Sequence, residues 1–364
     1  MTTPFDSEFT VGVEEELLLV DGSTLALAPV TRDVLAAMRV DPSAAGHDAY
    51  AAQIELRSTP SGTVADAVES LARLREAAVA AGATPLGAGL HPAGRFGDAA
   101  LVEGPRYEFV ADQLRGLLQR TPESALHVHV GLSDEDTATR AFNALRLQVP
   151  LLIGLAANSP FWFGADSGLQ SARYALSRAY PGRCVPRAVR DVDDLEELAG
   201  STLAAAGLPD ATFLWWDLRL HPRHGTLELR EMDAQTSTED VAALAALVRA
   251  LVVESASGPP AAPVPSEALG WAAFRAARDG RDATILDGDA LRPLADVARD
   301  TVRRVRPIAR ELGDEAALDG VEAILAAGGA ARQRAAFDRD GLDGVLRTLV
   351  DETAATGAAV ARRA

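Results

Sequence analysis

The stretch Thr10-Val-Gly-Val-Glu-Glu-Glu-Leu-Leu-Leu-Val20 sets three carboxylates inside a run otherwise built of strand-forming apolar residues. Successive side chains of a strand point to opposite faces, so Glu14 and Glu16 share one face while Glu15 takes the other. Two acids aimed together from a rigid strand suit a hard divalent cation. The competing reading is an edge strand whose acids face water and discourage pairing with other chains. Recurrence of the pattern decides between the two.

It does recur. Gln53-Ile-Glu55-Leu-Arg57 puts Gln53, Glu55 and Arg57 on one face and Ile54 and Leu56 on the other, with Asp48 close upstream. Leu126-His127-Val128-His129-Val130 aims two imidazoles together, and Thr226-Leu227-Glu228-Leu229-Arg230 pairs an acid with an arginine. Trp216-Asp217-Leu218-Arg219 adds a further acid and arginine. Separate strands with Glu, His and Arg on one side and aliphatics on the other describe one sheet with a polar concave face and helices behind it.

The chain of 364 residues is 48% hydrophobic, enough for one large domain or two ordinary ones. No apolar run has membrane-spanning length, and the N-terminus lacks a signal-like core, which predicts a cytoplasmic protein. A net charge of −17 argues against nucleic-acid and anionic-membrane partners. The sequence contains no lysine, so a Walker-type phosphate loop, a Schiff base and a lysine general base are excluded. Phosphate or carboxylate groups must then be held by arginine forks, backbone amides or metal. The lone Cys184, in a turn-rich loop, reads as incidental.

Periodicity predicts strands near 9–20, 52–58, 84–91, 125–132, 211–220 and 224–231, and helices near 30–39, 63–82, 105–120 and 134–157. From about 238 the pattern is almost purely helical, interrupted by the linker-like Ser257-Gly-Pro-Pro-Ala-Ala-Pro-Val-Pro265. The expected division is a catalytic region over 1–257 and a helical C-terminal region over 258–364, packed on the same domain. His47, His91, His221 and His224 read as structural, and the Trp215-Trp216 pair reads as core.

Taken together, Val11-Gly-Val-Glu-Glu-Glu16, Gln53-Ile-Glu55, His127-Val-His-Val-Gly131, Ala157-Asn-Ser-Pro-Phe161 with Ser171-Ala-Arg173, and Trp216-Asp-Leu-Arg219 through Arg230 to Asp233 resemble the bacterial carboxylate–amine ligases of the glutamate–cysteine ligase type 2 group. The resemblance implies an α+β fold of the glutamine-synthetase-like ligase kind, a mostly antiparallel sheet binding ATP and magnesium, with manganese as a substitute, on its concave face. It implies formation of an amide through an acyl phosphate, with glutamate and cysteine as default substrates. The implied metal set is Glu14, Glu16, Asp48, Glu55, His127 and Glu228, and Glu55, Glu228 and Arg230 would be catalytic. Arg57 and Arg230 would face phosphate, Arg106, Arg173 and Arg219 would contact substrate, and His129 would be either a metal ligand or a substrate contact. A metal-dependent hydrolase and a silent scaffold on the same fold are the alternatives. Small-molecule substrates are the expected partners, and a homodimer is left open.

Overall fold

The computed structural model describes residues 8–221 and 224–360, the side chains of 356–360 excepted. The principal sheet has seven strands: β1 (Val11–Leu19), β2 (Ala45–His47), β3 (Gln53–Arg57), β4 (Pro85–Leu86), β5 (Ala125–Gly131), β6 (Leu218–His221) and β7 (Thr226–Asp233). Their order is β2-β3-β1-β5-β7-β6, with β4 paired to the end of β1, and all pairings are antiparallel. β1 is therefore central, flanked by β3 and β5, which rules out the edge-strand reading of its acids.

Alternation sorts the strands as their sequences require. Val11, Val13, Leu17, Ile54, Leu56, Leu126, Val128, Val130, Leu227 and Leu229 are all buried in one apolar cluster with the Val64–Ala80, Glu135–Ala156 and Thr238–Ser257 helices. The same cluster takes in Leu269, Leu294 and Ile324 from the C-terminal helices. Thr63 caps the Val64–Ala80 helix by accepting from the Asp66 amide, as its capping-box-like sequence predicts.

Glu15 points into this layer with its side chain fully buried, and Arg75 of the Val64–Ala80 helix meets it with two hydrogen bonds of 2.7 and 2.5 Å. Arg75 also donates to the carbonyls of Thr236 and Gln235, so the buried charge pair is satisfied from several sides.

Some expectations are corrected. The strand expected over 211–220 shrinks to Leu218–His221, because Asp210 accepts hydrogen bonds from the amide and hydroxyl of Thr212 and turns Ala211–Phe213 into a short 3-10 helix. The strand expected over 84–91 is regular only at Pro85–Leu86. A side chain at Gly87 would strike the Gln235 carbonyl at 2.5 Å, so this segment runs too close to its neighbour for an ordinary strand residue. The region after 238 is not purely helical: Thr284–Asp287 and Ala290–Pro293 form a hairpin through Gly288, whose φ is 59°. Among the described residues, no helix is long and apolar enough to cross a membrane.

Candidate active site

The opposite face of the sheet forms the floor of a cleft of about 330 Å³. All twelve residues singled out above line it: Glu14, Glu16, Asp48, Glu55, Arg57, Arg106, His127, His129, Arg173, Arg219, Glu228 and Arg230. The strand registers explain how residues so far apart in sequence meet. Glu14 lies opposite both Arg57 and His127, Glu16 opposite Glu55, and His129 between Gly12 and Glu228, which in turn faces Arg219.

One irregularity concentrates charge. Leu126 pairs with Met232 but Val128 pairs with Leu229, so Arg230 and Glu231 together stand opposite His127. This is a β-bulge, and it lets two consecutive residues serve the polar face.

Two groups of ligand atoms lie within 4.8 Å of one another: Glu14, Glu55 and His127 form one, and Glu14, His129 and Glu228 the other. Glu14 bridges them, 3.6 Å from His127 Nδ1 through one oxygen and 3.6 Å from His129 Nε2 through the other. His129 Nδ1 is hydrogen-bonded to the Thr226 hydroxyl at 3.1 Å, and its Nε2 is buried without a hydrogen-bond partner. If Nδ1 donates to Thr226, that neutral tautomer leaves an Nε2 lone pair aimed at two carboxylates, a donor set fit for a divalent cation. Glu16 and Asp48 stand beside these groups on the cleft wall.

The acids are held in contrasting states. Burial opposes ionisation of Glu14, but the adjacent His127 and His129 imidazoles more than offset it and hold the carboxyl well below its usual range. Glu228 is also held low against burial, by Arg230, His129 and Arg219. Its carboxylate is paired with Arg230 and lies 2.9 Å from Arg219. Glu16 goes the other way, pushed up to about 8 by burial and the nearby charge of Asp48. Glu55 is ion-paired with Arg57. Burial and Arg230 lower the His127 pKa.

The Asn158-Ser-Pro and Ser171-Ala-Arg173 blocks act together as a brace. Asp233 accepts from the Asn158 amide, the Ser159 hydroxyl and the Ser171 hydroxyl at 2.9, 2.7 and 2.9 Å. The Ser159 hydroxyl in turn accepts from the Arg173 amide, which fixes Arg173 under the cleft with 1% exposure. Its guanidinium lies 3.7 Å from Asp233 and 3.9 Å from Glu231. Arg106, by contrast, is an exposed rim residue that packs on Phe213 at 4.1 Å and donates to Thr212.

Sequence reasoning missed a second charged layer. Arg178 contacts Asp217 at 2.8 Å and Glu231 at 3.5 Å, and Arg183 contacts Glu231 at 2.7 Å. Glu123 lines the cleft beside them, its pKa raised by burial against the pull of Arg183, Arg173 and Arg120. His221 and His224 line the cleft wall, their ring centroids 4.2 Å apart and that of His221 6.4 Å from that of His129. His91 keeps its structural reading through a 2.8 Å bond to the Leu25 carbonyl. Trp216 is core as expected, but Trp215 lines the cleft. Cys184 is exposed, and Pro222 lies outside the described residues.

Comparison with known proteins agrees with this geometry. The family profile "Glutamate-cysteine ligase family 2 (GCS2)" matches residues 10–358. A provisionally named glutamate–cysteine ligase 2-1 of Rubrobacter xylanophilus is 35% identical over 346 residues, covering 92% of each chain. The glutamate–cysteine ligase of Natronomonas pharaonis is 31% identical over 357 residues, covering 95% of this chain and 96% of its own. Among solved structures, a bifunctional glutathione synthetase from Pasteurella multocida superposes with a TM-score of 0.71 at 17% identity, over 96% of this chain and 52% of that one. A glutamate–cysteine ligase from Francisella tularensis, in complex with AMP, gives 0.67 at 14% identity, over 98% and 94%. The chain belongs to glutamate–cysteine ligase family 2, and with it to the ATP-dependent ligases.

Proposed function

We propose that this protein joins a carboxylate to an amine through an acyl phosphate, with L-glutamate and L-cysteine as the default pair. The observation that carries this reading is the pair of three-ligand groups sharing Glu14, set in one cleft with Arg57, Arg219 and Arg230. A hydrolase of amides or phosphates would turn over without nucleotide, and a silent scaffold would have no use for such a set.

Glu14, Glu55, His127, His129 and Glu228 would hold magnesium, with Asp48 adding negative charge and Glu16 lining the wall beside them. Magnesium held there would supply positive charge to offset the negative charge that develops during phosphoryl transfer. Arg230, Arg219 and Arg57 supply fixed positive charge on the same floor, the part lysine plays elsewhere. The substrate carboxylate attacks the γ-phosphorus and ADP departs. The amine, as its free base, then attacks the acyl carbon and phosphate leaves.

The nucleotide's place is supported by a second groove of about 640 Å³. It shares Glu14, Arg57, His129 and His224 with the cleft and extends past Thr10 and Thr226. Nucleotide at that end leaves the Glu123 end for the amino acid.

Incubation with ATP, magnesium, L-glutamate and a panel of amines tests the reading, with phosphate release and product mass as readouts. A γ-glutamyl amide is expected. Absence of phosphate release with every carboxylate tried would refute it.

A further inference from the structure

One end of the cleft holds a carboxylate that neither the metal-ligand groups nor the core employs. Glu123, just before β5, lines the cleft at 8% exposure, and both its carboxylate oxygens are buried without a hydrogen-bond partner. The Arg120 guanidinium lies 3.6 Å away, within ion-pair reach but beyond a hydrogen bond. A desolvated carboxylate in this state is costly, and a cationic ligand group would relieve the cost. Since neither oxygen holds a hydrogen bond, turning the group toward a ligand breaks none.

Its location is defined by Gln53, whose Nε2 donates to the Glu123 carbonyl at 2.9 Å and to Glu16 at 3.2 Å. Glu123 thus adjoins the Glu16 end of the acidic strip, away from the groove that runs past Thr10. Arg173 and Arg183 line the same cleft, each with a buried Nε lacking a partner. Arg120 and Arg183 both lie over the Tyr180 ring, at 5.0 and 5.9 Å. A carboxylate with no hydrogen-bond partner, beside guanidinium groups with unspent donors, is complementary to an ammonium and a carboxylate borne on one carbon.

We propose that Glu123 and Arg183 bind the α-ammonium and α-carboxylate of the amino acid whose distal carboxylate is activated. This deepens the ligase reading and rests on it. The donor is favoured over the acceptor because the acceptor's amine must shed its proton to attack, whereas the donor's ammonium stays charged throughout and can keep an ionic partner.

The test compares L-glutamate with glutarate, which lacks the ammonium, and with 4-aminobutyrate, which lacks the α-carboxylate. Binding is followed by calorimetry and phosphate release is measured in parallel with ATP and magnesium. The wild-type protein should bind L-glutamate about 30-fold or more tightly than either analogue. Glu123→Gln should bring L-glutamate down to the level of glutarate while leaving glutarate unchanged. Equal wild-type affinity for glutamate and glutarate, or an undiminished preference in Glu123→Gln, overturns the assignment. If the variant fails to fold, the wild-type comparison decides alone. Phosphate release without this discrimination refutes the subsite and spares the ligase reading, whereas no release with any carboxylate refutes both.

Discussion

Glu14 and Glu15 are neighbours in sequence, and the two faces of one strand give them opposite fates. On the helix-covered face Glu15 is fully buried and met by a single arginine through two hydrogen bonds. On the cleft face Glu14, Glu16, Glu55 and Glu228 gather around two imidazoles, and His129 keeps a buried ring nitrogen with no hydrogen-bond partner. The difference teaches how to tell a structural charge from a functional one. A structural charge is balanced by the protein alone, whereas a functional cluster is balanced only when something else binds.

The largest effect should come from Glu14→Gln. Loss of the shared ligand weakens both three-residue groups, so ATP-dependent turnover should fall by about 10³-fold or more. Thermal unfolding should change little, because the side chain does not support the apolar layer. An active variant would break the contrast between the faces.

Glu15→Ala should do the reverse. It removes the carboxylate counter-charge of the buried Arg75 guanidinium and should destabilise the fold by about 3–5 kcal/mol, measured by urea unfolding. Any folded fraction should keep the wild-type KM for ATP. Glu228 is a less clean probe than its place among the acids suggests: Glu228→Ala would abolish turnover but also leave Arg219 and Arg230 unpaired, so some destabilisation is expected beside the lost activity.

A smaller effect sharpens the comparison. Thr226→Val removes the hydroxyl at His129 Nδ1 without touching any carboxylate. Loss of that orienting bond should weaken cation binding by about 10- to 100-fold, read by isothermal titration with manganese and ATP.

The smallest effect on stability belongs to Arg106→Ala. This exposed rim residue should alter unfolding by no more than about 0.5 kcal/mol. A KM change for one substrate, with kcat kept, would mark it as a binding contact.

Much of this contrast is legible in the sequence itself. Strict alternation with aliphatics assigns Glu14 and Glu16 to one face and Glu15 to the other, and the same period places Glu55, His127 and Glu228. What sequence could not supply was pairing across distance. Nothing in the Val64–Ala80 helix distinguishes Arg75 as the partner of Glu15, and nothing in Glu123 announces that it lines the cleft. The bulge that brings Arg230 and Glu231 together opposite His127 depends on strand register, which a single strand does not encode. Other misses had a visible cause. The aromatic run Phe213-Leu-Trp-Trp216 imitates a strand, but Asp210 ahead of it is a turn-capping residue. Asp287-Gly288 between two short β-prone segments is a hairpin signal that the surrounding alanine-rich helices obscured.

The most direct test is a manganese titration followed by electron paramagnetic resonance, with ATP present, on wild type, Glu14→Gln and Glu15→Gln. Wild type and folded Glu15→Gln should take up the ion alike, while Glu14→Gln should lose most of that binding. Equal uptake by all three would show that the cleft acids do not hold the nucleotide's cations.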